Sequence, residues 1–245
     1  MSAAAAGRVA VVTGGTRGIG LAIVARLAGD GFRTVAVGRN RPDAPPPAGA
    51  EFLPCDVADP AQVRSLFEEV RRRHGRLDAL VNNAGTAGAN PFEADADDRL
   101  WHEILGTNLH GTYHCCKAAS ALLTDGGGRI VNIASTLGLR GVPDQTAYCA
   151  AKHGVVGLTR SLALHLAPRG ITVNAVCPGW VDTEMAAERL LELGLSTGEA
   201  AAGVPVGRFS RPDEVADVVA FLIQGATASI TGTTLTIDGG RLASA

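Results

Sequence analysis

The chain has 245 residues, 46% hydrophobic and 19% charged, enough apolar material for a folded protein with a substantial core. A net charge of -2 gives no electrostatic case for binding nucleic acid or an anionic membrane surface. Residues 1–7 are small and uncharged with no long apolar run; they fit neither a secretion signal nor a membrane span, so the cytoplasm is the expected compartment. The five cysteines (Cys55, Cys115, Cys116, Cys149, Cys177) form no CxxC pair and the six histidines show no HExxH-type spacing. Neither a disulfide framework nor a metal is expected.

Arg8 to Val12 reads as a buried-type strand running into Thr13-Gly14-Gly15-Thr16-Arg17-Gly18-Ile19-Gly20, after which Leu21, Ile23, Val24 and Leu27 keep helical apolar spacing. Strand, glycine turn and helix in succession are the setting for a nucleotide. Glycines let the backbone approach a pyrophosphate, and free N–H groups at the helix start attract its charge. A second strand, Phe32 to Val37, ends in Gly38-Arg39-Asn40. No acid stands there to bond a ribose 2′-hydroxyl; Arg39, with Arg17 in the turn, suits a 2′-phosphate and points to NADP over NAD. Residues 41–50, RPDAPPPAGA, carry three consecutive prolines and cannot form the usual helix between second and third strands, so an irregular crossover is expected.

The third strand, Glu51 to Pro54, leads to Cys55-Asp56-Val57, and Asp59-Pro60 opens a helix with an aspartate cap and a first-turn proline. Val63, Leu66, Phe67 and Val70 form its core face, and Arg71-Arg72-Arg73 reads as a solvated basic end. Leu77 to Val81 is the fourth strand. Asn82-Asn83-Ala84-Gly85 follows it, amides and small residues suited to a cofactor ribose or to a neighbouring strand. A long helical region from about 98 to 123 is interrupted by Gly106 and Gly111. Asn108 in its middle is either an exposed amide or a loosening of the hydrogen-bond ladder able to hold a water.

The fifth strand, Arg129 to Ala134, ends at Ser135, whose hydroxyl falls at the strand's carboxyl end, where ligands sit in open α/β sheets. Tyr148, Cys149, Ala150, Ala151 and Lys152 open a long helix continued by Val155, Val156, Leu158, Leu162 and Leu166. Positions four apart share a helix face, so Tyr148 and Lys152 point the same way. An ammonium beside a phenol favours phenolate, and the Tyr148 pKa is expected to fall from about 10 towards neutrality. That would let it exchange a proton with a substrate oxygen at working pH. The sixth strand, Ile171 to Val176, ends in Cys177-Pro178-Gly179-Trp180-Val181-Asp182-Thr183. Residues 184–207, rich in alanine and leucine with glycine breaks, read as one or two small helices forming an apolar lid. Pro212-Asp213 opens a last helix, and Thr233 to Ile237 is the final strand. The expected fold is α/β: a single doubly wound Rossmann-type domain over residues 1–245, with a seven-stranded parallel sheet flanked by helices.

Taken together, TGGTRGIG at 13–20, Asp56-Val57, NNAG at 82–85, Asn108, Ser135, YCAAK at 148–152 and Pro178-Gly179 resemble the short-chain dehydrogenase/reductase family over nearly the whole length. The resemblance implies that Gly14, Gly18 and Gly20 line the pyrophosphate, Asp56 touches the adenine amine, and Asn83 and Ala84 flank the adenosine half. Thr16, Arg17, Ile19, Arg39, Val57 and Gly85 belong to the same cofactor set. Pro178, Gly179, Val181 and Thr183 would meet the nicotinamide end. Tyr148 would be the acid–base residue, with Ser135 holding the substrate oxygen and Lys152 bonding the nicotinamide ribose. Asn108 would hold a water linking Lys152 to solvent. Within the family, the stretch around YCAAKHGVVGLTRSLALHLAPRGITVNAVCPGWVDTEM and the ITGTTLTIDGG tail resemble 3-oxoacyl reductases and ketoreductases of aromatic polyketide synthesis. Thr86-Ala87-Gly88-Ala89 departs from the proline-glycine-glycine run of some polyketide ketoreductases. The implied activity is NADPH-dependent reduction of a small-molecule or carrier-bound ketone by a homodimer or homotetramer, the 98–123 and 148–167 helices pairing across subunits. An NAD(P)-dependent alcohol, diol or steroid dehydrogenase and a non-catalytic NADP-sensing protein are the alternatives.

Overall fold

A computed structural model describes residues 7–244 except 43, 91, 94 and 96, so the uncharged start at 1–6 lies outside the described residues. Strand β1 (Val9–Thr13) is buried at every position. Its side chains alternate between faces: Val9 and Val11 join one apolar core, Ala10 and Val12 the other. Around it lie β2 (Arg33–Gly38), β3 (Ala50–Pro54), β4 (Ala79–Asn82), β5 (Arg129–Ile133), β6 (Thr172–Pro178) and β7 (Thr234–Ile237). All pair in parallel, in the order β3-β2-β1-β4-β5-β6-β7. The chain winds outward from β1, returns, and winds outward the other way from β4. The crevice between β1 and β4 is therefore the switch point, open at the strands' carboxyl ends.

The helices are α1 (Gly18–Gly29), α2 (Pro60–His74), α3 (Arg99–Leu105), α4 (Gly111–Ala119), α5 (Thr146–Leu166), α6 (Glu184–Leu193), α7 (Thr197–Ala202) and α8 (Pro212–Ile223). Ile23, Val24 and Leu27 of α1 and Val215 and Val219 of α8 cover the Ala10 face. Val63, Leu66 and Phe67 of α2, Cys115 and Cys116 of α4, and Leu166 of α5 cover the Val9 face. Asp59 caps α2 through Ala61 and Gln62, with Pro60 in the first turn. Arg71, Arg72 and Arg73 at the end of α2 are exposed, as expected, and Arg73 and the neighbouring His74 both engage Glu51 of β3.

Among the described residues no helix links β2 to β3; the described part of 39–49 is an irregular strap, and Gly49 turns the chain back with φ 86°. Phe52, paired with Ala36 on the α1 face, is covered there by Arg41, whose guanidinium lies 6.0 Å from the ring centroid. The 98–123 region departs from a single helix. Between α3 and α4, Gly106–His110 is a π-helical turn, wide enough to take up the residue that a straight helix has no room for. Close packing fixes its end: a Cβ on Gly111 would lie 2.7 Å from Val57 Cγ2. Strand bounds shift by a residue or two; β6 runs on to Pro178 because Pro178 still pairs with Ile237. A buried chain of amides ties the middle together. Asn82 donates to Asn132 Oδ1 (2.8 Å), and Asn132 donates to Thr159 Oγ1 of α5 (2.9 Å). Asn82 thus serves the neighbouring strand.

Candidate active site

The glycine turn is held as much by β4 as by its own sequence. Asn83 Nδ2 donates to the Thr13 and Gly14 carbonyls at 3.1 and 3.0 Å, and Thr13 Oγ1 accepts from the N–H groups of Asn83 and Ala84 at 3.0 and 3.1 Å. The Asn83 side-chain amide thereby shapes the turn, while the residue itself lines the cleft. A Cβ on Gly20 would lie 2.0 Å from Gly14 O, so the turn packs directly on the first turn of α1. Gly18 has φ 51°, a conformation that favours glycine. At the N-cap, Arg17 makes no side-chain cap bond, which leaves the first amides of α1 to an anion. A phosphate-bearing dinucleotide fits this cradle.

The turn opens into a cleft of about 1240 Å³. Gly14, Thr16, Arg17, Gly18, Ile19, Gly20, Arg39, Asp56, Val57, Asn83, Ala84 and Gly85 line it, as do Ser135, Tyr148, Lys152, Pro178, Gly179, Val181 and Thr183. Asp56 Oδ1 accepts from Ala58 N (3.0 Å), which fixes the carboxylate at the end of β3. Arg39 is exposed at the end of β2. Arg17, expected beside it, is 2.8 Å from Glu184 of α6 and so spans the mouth of the cleft.

Asn108 is the one expected residue that the structure keeps out of the cleft wall. It is buried, which excludes the exposed-amide reading. Its side chain pairs reciprocally with the Thr86 backbone, accepting from Thr86 N and donating to Thr86 O, both at 2.8 Å. Its own carbonyl accepts from Thr112 Oγ1 at 2.8 Å. In this arrangement Asn108 anchors the loop after β4 to the π turn.

Ser135 follows β5 with an extended backbone, φ -172°, and its Oγ accepts from Leu137 N at 3.1 Å. Tyr148 and Lys152 share a face of α5, with Nζ 5.5 Å from the phenol ring centroid. The expected fall in the Tyr148 pKa is not what the site produces. Burial pushes the phenol up to about 12, with the Ser135 hydroxyl acting in the opposite sense, and burial lowers Lys152 to about 8. Desolvation opposes both ions, and the ammonium is directed to Ile133 O at 2.8 Å. Spacing along a helix shows which groups are adjacent; it carries no information on how much water they lose.

Some site residues escaped the sequence reading. Asn90, from the loop after β4, accepts from Ala147 N (2.9 Å) and donates to Thr146 Oγ1 (2.6 Å). Gln145, the N-cap of α5, makes no side-chain cap bond, so Asn90 caps the Tyr148 helix from far away in sequence. Capping in trans leaves no local signature. At the other wall, Arg189 of α6 pairs with Asp144 just before α5, and Trp180 stacks on Phe209 at 5.2 Å. Arg140 and Arg241 also line the cleft.

A doubly wound sheet with an anion-accepting turn at its switch point and a serine, tyrosine and lysine facing the same cleft defines a nicotinamide-dependent oxidoreductase. The family model described as "Enoyl-(Acyl carrier protein) reductase" matches residues 14–241. A "Putative ketoacyl reductase" of Streptomyces coelicolor is 43% identical, covering 95% of this chain and 96% of that protein. A "3-oxoacyl-[acyl-carrier-protein] reductase FabG" of Haemophilus influenzae is 39% identical, covering 96% and 98%. A "3beta-hydroxysteroid dehydrogenase" of Mediterraneibacter gnavus is 38% identical, covering 80% and 74%. Among solved structures, an actinorhodin polyketide ketoreductase variant with NADPH superposes with TM-score 0.88 at 40% identity, covering 96% of this chain and 97% of that one. The chain belongs to the short-chain dehydrogenase/reductase family.

Proposed function

We propose that the chain is an NADPH-dependent ketoreductase acting on a ketone of a 3-oxoacyl or polyketide-type substrate, with Tyr148 as proton donor. The observation that carries this reading is the convergence of Ser135, Tyr148 and Lys152 on a cleft whose other end is an uncapped glycine turn beside Arg39. The ketoacyl reductases among its relatives support it. Gly14 to Gly20 would hold the pyrophosphate, Arg39 the 2′-phosphate, and Asp56 and Val57 the adenine. When bound, NADPH supplies a hydride to the carbonyl carbon. Ser135 and Tyr148 present hydroxyls to the carbonyl oxygen, where negative charge develops, and Tyr148 gives it a proton. Burial holds the phenol protonated at neutral pH, the form that a reductase uses. Lys152, charged below about pH 8, lowers the cost of the transient phenolate.

An NAD(P)-dependent alcohol, diol or steroid dehydrogenase is the second reading, favoured by the steroid dehydrogenase among the relatives. A non-catalytic NADP sensor is the third, and the catalytic trio weighs against it. We take residues 1–245 as one domain. A homodimer or homotetramer paired through α4 and α5 would cover Tyr113 and Leu164, exposed on those helices. Among the described residues no helix is long and apolar enough to cross a membrane. The five free cysteines suit a reducing compartment, and we place the enzyme in the cytoplasm. The deciding assay is loss of NADPH absorbance with an acetoacetyl thioester, with NADH as control. Turnover with NADPH alone supports the ketoreductase and sinks the NAD dehydrogenase. Bound NADPH without turnover rejects the acyl substrate and moves the search to bulky cyclic ketones.

A further inference from the structure

The charged side chains lining the cleft differ in whether they have partners. Arg17 is paired with Glu184, and Arg189 with Asp144 and Glu192. Arg39 belongs to the glycine-turn end and is accounted for by a 2′-phosphate. Arg41, also without a salt bridge among the described residues, lies at that end over the Phe52 ring, and two arginines remain away from the turn. Arg140 lies on the turn that follows Ser135, its N–H bonded to Thr136 O at 3.1 Å. Arg241 follows the carboxyl end of β7, beneath the 204–206 segment that folds over Gly239 and Gly240.

Both arginines are part-buried and both line the cleft that holds Ser135 and Tyr148. Among the described residues neither forms a salt bridge. Arg140 Nε is buried with no hydrogen-bond partner at all. Asp238, the acid whose charge bears on Arg241, has both oxygens committed to backbone: Oδ1 accepts from Gly240 N (3.0 Å) and Oδ2 from Leu242 N (2.8 Å). Burial lowers the Arg241 pKa first, and the Arg140 charge lowers it further. Two partly desolvated like charges facing one cavity are unfavourable until an anion lies between them. The planar donor fork of guanidinium matches the oxygens of a carboxylate or phosphate.

We propose that Arg140 and Arg241 form a substrate-anion subsite, so that the ketone reduced here is carried on a molecule bearing an oxoanion within the same cleft. That oxoanion is either a carboxylate on the oxoacyl chain or the phosphate of a pantetheine arm. The inference rests on the ketoreductase reading and adds the charge of the substrate to it. Neither the fold nor the catalytic trio requires such a charge, since Ser135 and Tyr148 need only a carbonyl.

The test compares three thioesters of one 3-oxoacyl group with NADPH: an uncharged N-acetylcysteamine ester, the same ester with a terminal carboxylate on the acyl chain, and a phosphopantetheine ester. The intact enzyme is expected to favour one anionic substrate over the neutral one by about tenfold or more in kcat/KM, through KM. Which ester is favoured assigns the source of the anion. In the Arg140→Gln/Arg241→Gln double variant the anionic-to-neutral ratio should collapse towards one. Arg241→Lys, which keeps the charge, should retain part of it, and added salt should erode it. Equal treatment of all three esters by the intact enzyme overturns the subsite, and so does a double variant that slows all three alike. Turnover of the neutral ester separates failure of the subsite from failure of the ketoreductase reading: if no ester is reduced, that reading fails first. A melting curve of the double variant identifies misfolding, in which case the Arg241→Lys ratio decides.

Discussion

At the glycine-turn end of the cleft the walls are mostly backbone; at the far end they are mostly side chains. Thr13, Gly14 and Gly20 are fixed by main-chain contacts and by the Asn83 amide, with no space for a single added carbon at Gly20. The far wall is assembled from segments distant in sequence: Arg140 and Asp144 before α5, Arg189 on α6, and Arg241 after β7. It lies beside a helical pair, α6 and α7, that leaves Leu191 83% exposed. Backbone walls suit a ligand that is always the same. Side-chain walls can be altered residue by residue, and they are where a particular substrate is selected. Tyr148 and Lys152 sit between the two, on a helix whose start is capped by the loop after β4.

The sharpest way to test this division is to remove chemistry while keeping both walls. Tyr148→Phe should lower kcat by about a hundred- to ten-thousand-fold with NADPH affinity retained, measured by steady-state kinetics and fluorescence titration. Retained biological activity in this variant would favour the sensor reading. Next in size is a break at the backbone end. Gly20→Ala puts a methyl 2.0 Å from Gly14 O and 2.5 Å from Asn83 Nδ2, so the turn must open. NADPH binding should be lost, with destabilisation of about 1–3 kcal/mol in urea unfolding.

Lys152 gives a pH-dependent test. Its pKa is near 8 in the fold against 10.5 as the ordinary value, so between those pH values the unfolded chain binds the extra proton. Stability therefore carries the full burial cost below pH 8 and regains it as pH rises towards 10.5. Lys152→Met removes that cost, on the order of 3 kcal/mol, but orphans the Ile133 carbonyl at about 1 kcal/mol. The variant should be the more stable protein at pH 7, with the gap closing by about pH 10. Reductive kcat of the unmodified enzyme should fall as pH rises through about 8, where Lys152 loses its charge. A flat profile to pH 10 would remove Lys152 from proton supply.

The smallest effect is expected at the support of the Tyr148 helix. Asn90→Ala deletes the cap on Ala147 and should cost about 1 kcal/mol, lowering Tm by about 2–4 °C. If Asn90 positions Tyr148, kcat should fall more than KM changes, and Asn90→Asp, which keeps the acceptor for Ala147, should restore part of it. Equal loss in both variants would leave Asn90 a purely structural residue.

Much of the cleft was legible in the chain because its determinants are local. A glycine turn between strand and helix, a serine ending a strand, and a tyrosine and lysine one helical turn apart are each read within a few residues. Pro45, Pro46 and Pro47 likewise forbade a helix in one short stretch, and the irregular strap follows. What escaped reading is non-local. The Asn83 amide braces the glycine turn and the Asn108 side chain anchors Thr86, contacts that join segments distant in the chain. The Asn90 cap joins residues that nothing in the sequence brings together.

By itself, then, the sequence determined the doubly wound sheet and the nucleotide turn, and it named the side chains proposed to react, since hydrophobic period and glycine placement act over one element at a time. Only the tertiary structure decided the charge states at the centre and the pairing of the arginines. Burial pushes the Tyr148 phenol up to about 12, where adjacency to Lys152 alone argued for a fall. Arg17 and Arg189 receive carboxylates across the cleft mouth, and Arg140 and Arg241 receive none among the described residues. Desolvation and charge pairing depend on which segments meet in space, and that is settled when the sheet and its helices close around the site.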